Sequence, residues 1–171
     1  MKTIRLAQAA SDGNRAAAKP ERFDVVDLGP FDNNRNDVLA VNDVGQCAGV
    51  CLNQETGRIE AFRQEKGTRS MLGTLGGSFS VAHALNNDGV VVGASLTDGD
   101  ESFHGFLYVD NKLYDLNEFL DPETDWELLQ AVAINNNGEI IAIASHADGD
   151  RIVLLRPTAS VMELSRSRSA V

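Results

Sequence analysis

The stretch Ala84-Leu85-Asn86-Asn87-Asp88-Gly89 is one of three copies of a short pattern, and this pattern decides the predicted fold of the chain. Each copy has an Asn two residues after an Ala and a Gly three residues after that Asn. The other copies begin at Ala40 and Ala133, so the steps between copies are 44 and 49 residues. A pattern that returns with such a period is the signature of a protein built of repeated structural units.

The sequence between the copies keeps the same period. Leu28, Leu72 and Leu116 each close a short apolar run, and successive members are 44 residues apart. The longer second step comes from a five-residue insertion within residues 120–126, where Pro122 and neighbouring acidic residues are typical of a surface loop. We therefore predict one domain over residues 22–157. It divides into units of residues 23–66, 67–113 and 114–157.

Each unit is predicted to hold four short strands. In the second unit they cover residues 69–73, 80–85, 90–94 and 104–109. The Asn-Asn-Asp-Gly sequence is a hairpin signal, because Asn, Asp and Gly tolerate the positive φ of tight turns. None of the units has helical periodicity, so the predicted fold class is all-β. Small residues at corresponding places, such as Gly93 and Ala142, are expected to let neighbouring sheets approach closely.

The number of units leaves three architectures open. Four strands in about 44 residues match a β-propeller blade, but propellers have about 4–8 blades, so three units form only half a ring. A second chain would complete a ring of about six blades, which lies in that range. A β-trefoil, closed within one chain over residues 23–157, is the main alternative. An open β-solenoid is the third.

Composition and charge bear on partners and location. The net charge is −10 and the sequence pI is about 4.6. Such an acidic surface repels phosphate backbones, so we expect no nucleic-acid partner. No apolar run approaches the roughly 20 residues that span a bilayer, so we expect no membrane partner either. The amino end lacks the apolar core of a secretory signal, which predicts a cytoplasmic protein. Polar residues 1–21 and 158–171 are predicted to be flexible tails.

The two cysteines are predicted to be buried apolar thiols. On one strand, Cys47 and Cys51 would lie about 13 Å apart. A disulfide needs Cα atoms within about 7 Å of each other, so the two cannot pair there. Two cysteines alone also make a poor metal site.

The second unit resembles the HAF repeat of bacterial tandem β-repeat proteins. Leu72-Gly73-Thr74-Leu75-Gly76-Gly77 and the Ala-x-Asn-x-x-Gly pattern are similar to family elements, and His104-Gly105-Phe106-Leu107-Tyr108 stands where the family has His-Ala-Phe-Leu-Trp. The third unit, with Asp115-Leu116-Asn117 and Trp126, resembles the terminal repeat. The resemblance implies a short member with three repeats, a β-repeat architecture and often an extracellular setting. It implies no catalytic residues.

Four residues are candidate binding residues. Trp126, the only Trp, stands in the inserted loop, where it either contacts a partner or folds onto the core. Asn87 and Asn136 carry amides that suit sugar binding, although turn chemistry explains them as well. His104 at a strand start is either a structural hydrogen-bonding residue or a ligand contact.

Two acidic turns are candidate cation sites. Their carboxylates belong to Asp98, Asp100, Asp148 and Asp150, and carboxylates two residues apart can offer oxygen ligands to Ca²⁺. Ordinary hairpin turns explain the same residues, and the further ligands of a calcium loop are missing. The sequence holds no nucleophile motif, so we predict no catalytic residues and no cofactor.

These observations lead to three functional hypotheses. The first is a non-enzymatic binding or assembly module, a homo-oligomer built of propeller-type repeats, whose partner is itself or another protein. The second is a carbohydrate-binding lectin that uses corresponding loops of the repeats to bind a glycan. The third is an enzyme with a site on the propeller axis.

Overall fold

The computed structural model describes residues 24–25, 27 and 37–158, so most of both predicted tails lies outside the described residues. Regular structure in the described part is β, apart from two 3₁₀ turns at Asp98–Asp100 and Leu116–Phe119. The strands are β1 (Asp37–Val41), β2 (Cys47–Leu52), β3 (Ile59–Glu65), β4 (Thr68–Gly73), β5 (Gly76–Leu85), β6 (Val91–Thr97), β7 (Phe103–Val109), β8 (Lys112–Asp115), β9 (Glu127–Ile134), β10 (Ile140–Ser145) and β11 (Arg151–Leu155). The all-β prediction is confirmed.

Neighbouring strands pair antiparallel in three consecutive groups. We call β1–β4 the first group, β5–β8 the second group and β9–β11 the third group. One parallel bridge between Ile59 and Phe79 joins the first two groups into an eight-stranded sheet, and the third group is a separate sheet. The sheets formed by these eleven strands do not close into a barrel.

The first strand of each group has a register shift at a corresponding place. The shifts fall between Val38 and Ala40 in β1, between Ala82 and Ala84 in β5, and between Ala131 and Ala133 in β9. Each shift lies just before an Asn turn, where one extra residue bulges out of the ladder. The period of the sequence is therefore matched by a period in strand geometry.

The strand at the start of the second sequence unit pairs with the first group, which corrects the predicted grouping of strands. Residues 69–73 lie in β4, and Met71 is opposite Phe62 of β3. Lys66 and Gly67 have φ values of 49° and 79°, and positive φ at both central residues is typical of a tight two-residue hairpin. Asp110 and Asn111 connect β7 to β8 with φ values of 51° and 60°. These turns join strands of one group and do not separate units.

Gly93 and Gly49 allow two adjacent strands of the same group to approach each other closely. A Cβ on Gly93 would lie 1.9 Å from the carbonyl oxygen of Val81 in the adjacent strand, and one on Gly49 would lie 1.8 Å from that of Asp37. Both carbonyls lie just before the register shifts described above. The expectation that small residues here bring separate sheets together is therefore wrong for these two glycines.

Two apolar clusters form the core. One lies between the first and second groups and contains Ala48, Ala61, Leu72, Ala82, Leu85, Val91, Phe106 and Tyr108. The other lies between the second and third groups and contains Val90, Val92, Leu107, Val109, Tyr114, Leu116, Leu128, Ala131, Ile140, Ala142 and Ala144. The second group is therefore covered on both faces, which explains its continuous apolar run in β6.

Candidate functional site

The three Asn turns share one local geometry. Asn42, Asn86 and Asn135 each begin the turn between the first two strands of a group. Each side-chain Oδ1 accepts two backbone N–H groups, at 3.2 and 2.8 Å for Asn42, 3.1 and 3.0 Å for Asn86, and 2.9 and 3.0 Å for Asn135. The closing glycines have φ values of 82°, 76° and 77°. The side chain of Asn thus holds its own turn in shape, and the positive φ is taken by Gly alone.

The side-chain NH2 group of Asn42 and of Asn86 reaches the next turn. Nδ2 of Asn42 donates to the backbone carbonyl of Asn86 at 2.9 Å, and Nδ2 of Asn86 donates to that of Asn135 at 3.4 Å. The residues joined are 44 and 49 positions apart, which are the two steps of the sequence period. One side chain therefore shapes its own turn and ties neighbouring groups together.

A second row of hydrogen bonds runs beside the first. The N–H of Asp43 donates to Oδ1 of Asn87 at 3.0 Å, and the N–H of Asn87 donates to Oδ1 of Asn136 at 2.9 Å. Nδ2 of Asn87 donates back to the Asp43 carboxylate at 2.9 Å. The structure thus brings the predicted site residues Asn87 and Asn136 into contact. We call the six residues of both rows the turn ladder: Asn42, Asp43, Asn86, Asn87, Asn135 and Asn136.

The turn ladder has a direction and two different ends. At the first turn, within the described residues, the backbone carbonyl of Asn42 accepts only the N–H of Gly45, whereas that of Asn86 also accepts Nδ2 of Asn42. Oδ2 of the Asp43 carboxylate accepts Nδ2 of Asn87. At the third turn, the N–H of Asn136 has no partner within residues 37–158, while Nδ2 of Asn135 donates to Glu139 at 2.8 Å. This bond, together with one from Arg156, lowers the pKa of Glu139. The acceptor end and the donor end are complementary.

Exposed apolar side chains concentrate in the two outer groups. Leu85 in β5 is 7% exposed, whereas Val41, 44 residues earlier in β1, is 72% exposed. Leu107 in β7 is 3% exposed, whereas Leu154, its counterpart in β11, is 49% exposed. Apart from Phe103, the exposed large hydrophobic side chains of the described residues are Val25, Val38, Leu39, Val41, Val44, Ile141, Ile152 and Leu154. Corresponding positions are thus buried where a neighbouring group is present and open where none is.

His104 lies at the opposite end of the strands from the turn ladder. Its Nδ1 contacts the carboxylate of Asp115 at 2.5 Å, and its Nε2 contacts that of Glu127 at 3.2 Å. Asn117, which the sequence did not single out as a site residue, binds both the N–H and the carbonyl of Leu128, at 2.7 and 3.1 Å. These side chains connect the second group to the third.

Trp126 also lies at this opposite end, directly before β9. Its ring stacks on that of His146 with centroids 4.3 Å apart, and its half-buried side chain packs against the core cluster that contains Leu128. Because β9 separates Trp126 from the Asn135 turn, the two lie about 25 Å apart. The four predicted binding residues therefore do not form one site. Asn87 and Asn136 lie at one end, and His104 and Trp126 lie at the other.

The two acidic turns differ in their contacts. The carboxylate of Asp100 accepts hydrogen bonds from the backbone N–H of Ser78 at 2.6 Å and from its hydroxyl at 2.8 Å, and these bonds lower the pKa of Asp100. The carboxylate of Asp148 lies 3.9 Å from Nδ1 of His146. Asp98 lies beside Asp100 in the 3₁₀ turn, and Asp150 directly precedes β11. Across the described ranges, no three His, Cys, Asp or Glu side chains converge in a way that could hold a metal ion.

A largely apolar cavity of about 340 Å³ lies between the outer strands of the second and third groups. Its lining includes Phe119, Leu120, Leu155, Arg156 and Pro157. The cavity borders β11, the last strand of the third group.

The cysteines are free and buried, as predicted. Burial raises the pKa of the Cys47 thiol, which keeps it protonated and weakly nucleophilic. The sulfur of Cys51 lies 3.7 Å from that of Met71. The two side chains belong to the packing of the first group.

Comparison with protein-family models, with curated proteins and with solved structures found no match to this chain. The resemblance to HAF repeats therefore remains a prediction based on the motifs. The described residues contain no helix that is long and apolar enough to cross a membrane.

Proposed function

We propose that this protein is a non-enzymatic assembly and binding module in which two chains join end to end through the turn ladder. The observation that carries this proposal is the direction of the ladder. Each turn donates to the next, so the third turn is left with the N–H of Asn136 as a donor and the first turn with acceptors. The N–H of Asn136 is matched by Oδ1 of Asp43 in a second copy, since Oδ2 of that carboxylate already accepts Nδ2 of Asn87.

The symmetry of such a contact limits the size of the assembly. A donor end that meets an acceptor end is a head-to-tail contact, and head-to-tail contacts form closed rings when the rotation permits. Two chains that make this contact twice enclose a two-fold axis, with six strand groups in one ring. The groups then act as blades of a β-propeller, within the usual range of blade numbers.

The stacking of the groups supports blades over a trefoil. A trefoil is closed within one chain, whereas these sheets are open and the first and third groups carry exposed apolar residues. On the first group, the exposed apolar surface lies on β1 and on the turn that follows it. The outer part of the same face is closed, since Phe62 is fully buried with Arg69 over its ring. A second chain would cover Val41 and Val44 there.

Several contacts favour assembly over the other two hypotheses. The amides at corresponding turn positions, which a lectin would offer to sugars, are engaged by protein groups in the ladder. An enzyme is less well supported, because His104 is held between two carboxylates and both thiols are buried. A cytoplasmic location belongs to the same proposal.

The deciding experiment is the mass of the full chain in solution, measured by light scattering over a dilution series. We expect twice the chain mass of 18.4 kDa at micromolar concentration. A monomer at every concentration would contradict the proposal and favour a fold closed in one chain.

Sugar binding can be tested with the same protein. Trp126 is the only Trp, so its fluorescence reports contacts made near the inserted loop. A saturable change with one glycan, lost in Trp126→Ala while the mass is unchanged, would support the lectin hypothesis. We expect no such change.

A further inference from the structure

Over residues 37–158, the third group has one strand fewer than the other two groups. In the first group β4 pairs with the outer side of β3, and in the second group β8 pairs with the outer side of β7. Within the described residues, β11 pairs with β10 alone, and its outer edge is open. Ile152 and Leu154 on this strand are both exposed. Their side chains project from the face of the sheet, whereas the unpaired backbone at its edge is a template for pairing with another strand.

The sequence period identifies a segment for this edge. Leu72 closes the run that forms β4, and Leu116 follows β8 directly. Leu28 precedes them by one and two periods of 44 residues, so residues 23–28 correspond to the outer strands of the first and second groups. Of these residues, Asp24, Val25 and Asp27 are described and lie in no strand, and Val25 is 95% exposed.

We propose that residues 23–28 of a second copy of this chain form the fourth strand of the third group, antiparallel to β11. This inference rests on the proposed function, because it requires a two-chain assembly. The chain path indicates why a second copy is needed. The outer strands β4 and β8 each lead into the first strand of the next group. Residues 23–28 lead into β1, so their group precedes the first group, and in a two-chain ring that group is the partner's third.

The register follows from the other two groups. Phe62 lies opposite Met71, and Phe106 lies opposite Asp115. Phe106 pairs with Gly93 of β6. Ala142 of β10 lies 49 positions after Gly93 and pairs with Val153, so Val153 is the counterpart of Phe106. Position 27 lies one period of 44 residues before Met71 and two periods before Asp115. Residue 27 of one chain therefore lies opposite residue 153 of the other.

This register produces complementary pairs. Val25 falls opposite Leu155, beside the cavity of about 340 Å³ between the second and third groups. Leu113, which corresponds to Val25 two periods later, packs against the apolar cluster between the first two groups. Asp24 falls opposite Arg156, so opposite charges face each other across the strands. The new strand thus fills an apolar cavity and adds a second carboxylate to Arg156, which already pairs with Glu139 at 3.0 Å.

Cysteine variants test this register in the full-length chain. Val25→Cys is mixed with Leu155→Cys under oxidised glutathione, and the covalent dimer is measured by non-reducing electrophoresis. Asp24→Cys with Arg156→Cys is a second pair at exposed positions, where folding is not at risk. The control is Val25→Cys with Ile152→Cys, since Ile152 lies about 10 Å along the strand from Leu155. We expect disulfide formation at least about tenfold faster for the two matched pairs than for the control.

The outcomes separate the two proposals. A chain that light scattering shows to be monomeric overturns the assembly and the strand exchange together. A dimer in which neither matched pair crosslinks faster than the control overturns the strand exchange alone. A disulfide formed within one chain, in a variant that carries both Val25→Cys and Leu155→Cys, would also overturn it, because the segment would then pair with its own β11.

Discussion

The side-chain amide of Asn42 donates a hydrogen bond to the backbone carbonyl of Asn86, which is 2.9 Å away in space and 44 residues away in sequence. Asn86 repeats the same bond to Asn135. The oxygen of each amide meanwhile holds its own turn. An Asn that the sequence indicates only as a turn-forming residue therefore also links one group of strands to the next.

Removing the amide of Asn86 should destabilise the fold. Asn86 is buried and accepts the N–H groups of Asp88 and Val90, so Asn86→Ala leaves these donors without their partner. We expect the free energy of unfolding to fall by about 2–4 kcal/mol, measured by urea denaturation. The control is Asn137→Ala, an exposed turn position, for which we expect a change within about 0.5 kcal/mol. Equal effects of the two substitutions would contradict the role of the ladder.

A charge on the open part of the first group should weaken the assembly. Val41 is exposed in the single chain, so Val41→Asp should leave monomer stability nearly unchanged. If a second copy covers this position, burial of an unpaired carboxylate should raise the dimer dissociation constant by about tenfold or more. Phe103→Asp, at an exposed apolar position of the second group, is the matched control. Light scattering at several concentrations measures both, and identical dilution curves would argue against the proposed interface.

Gly93 should not tolerate a side chain. A Cβ there would lie 1.9 Å from the carbonyl oxygen of Val81 and 2.8 Å from the ring of Phe106. We expect Gly93→Ala to lower the free energy of unfolding by about 3 kcal/mol or to prevent folding, as judged by circular dichroism and thermal melting. At Gly105 the nearest atom to a new Cβ is 3.2 Å away, and Ala61 stands at the corresponding position. Gly105→Ala should therefore change stability by about 1 kcal/mol or less.

The Asp100 carboxylate should make stability depend on pH in the acidic range. Hydrogen bonds from the backbone N–H and then the hydroxyl of Ser78 lower its pKa in the folded state. A lowered folded-state pKa means that the carboxylate stabilises the fold above the pH where an unfolded Asp titrates, about pH 4, and that this stabilisation is lost as the pH falls through the folded-state pKa. Asp100→Asn should therefore lower Tm at pH 7, and the difference should shrink below about pH 4.

The neighbouring carboxylate offers a control for this prediction. Asp98→Asn removes the same charge from the same turn but leaves the bonds from Ser78 in place. Its effect on Tm at pH 7 should be smaller than that of Asp100→Asn. If both substitutions change Tm equally at every pH, the net charge of the turn and not the contact with Ser78 accounts for the effect.

Local elements were predictable, but their partners were not. The strands at residues 80–85 and 90–94 and the Asn86 turn were placed near their observed positions, because alternation, apolar runs and turn residues act over a few neighbours. The grouping of β4 was wrong. The same short apolar run suits either of two neighbouring sheets, and only the positive φ values at Lys66 and Gly67 direct it back onto β3.

The candidate binding residues show the same limit. Asn87 and Asn136 were considered as sugar contacts because their amides suit hydrogen bonding, yet the structure places them against each other. No pattern in the sequence distinguishes a free amide from one bound by a residue 49 positions away. Asn117 was missed for a related reason, since its contact with Leu128 depends on how the second and third groups stack.

The sequence by itself determined the period, the strands and the shape of the three turns, because these depend on short-range preferences such as the positive φ of Gly and the capping ability of Asn. Only the tertiary structure decided which strands pair and where the second amide hydrogen of each Asn goes. Those contacts exist because apolar faces such as those of Val92 and Leu107 must be buried against another group of strands. Burial sets the spacing between groups, and that spacing places one turn within hydrogen-bond distance of the next.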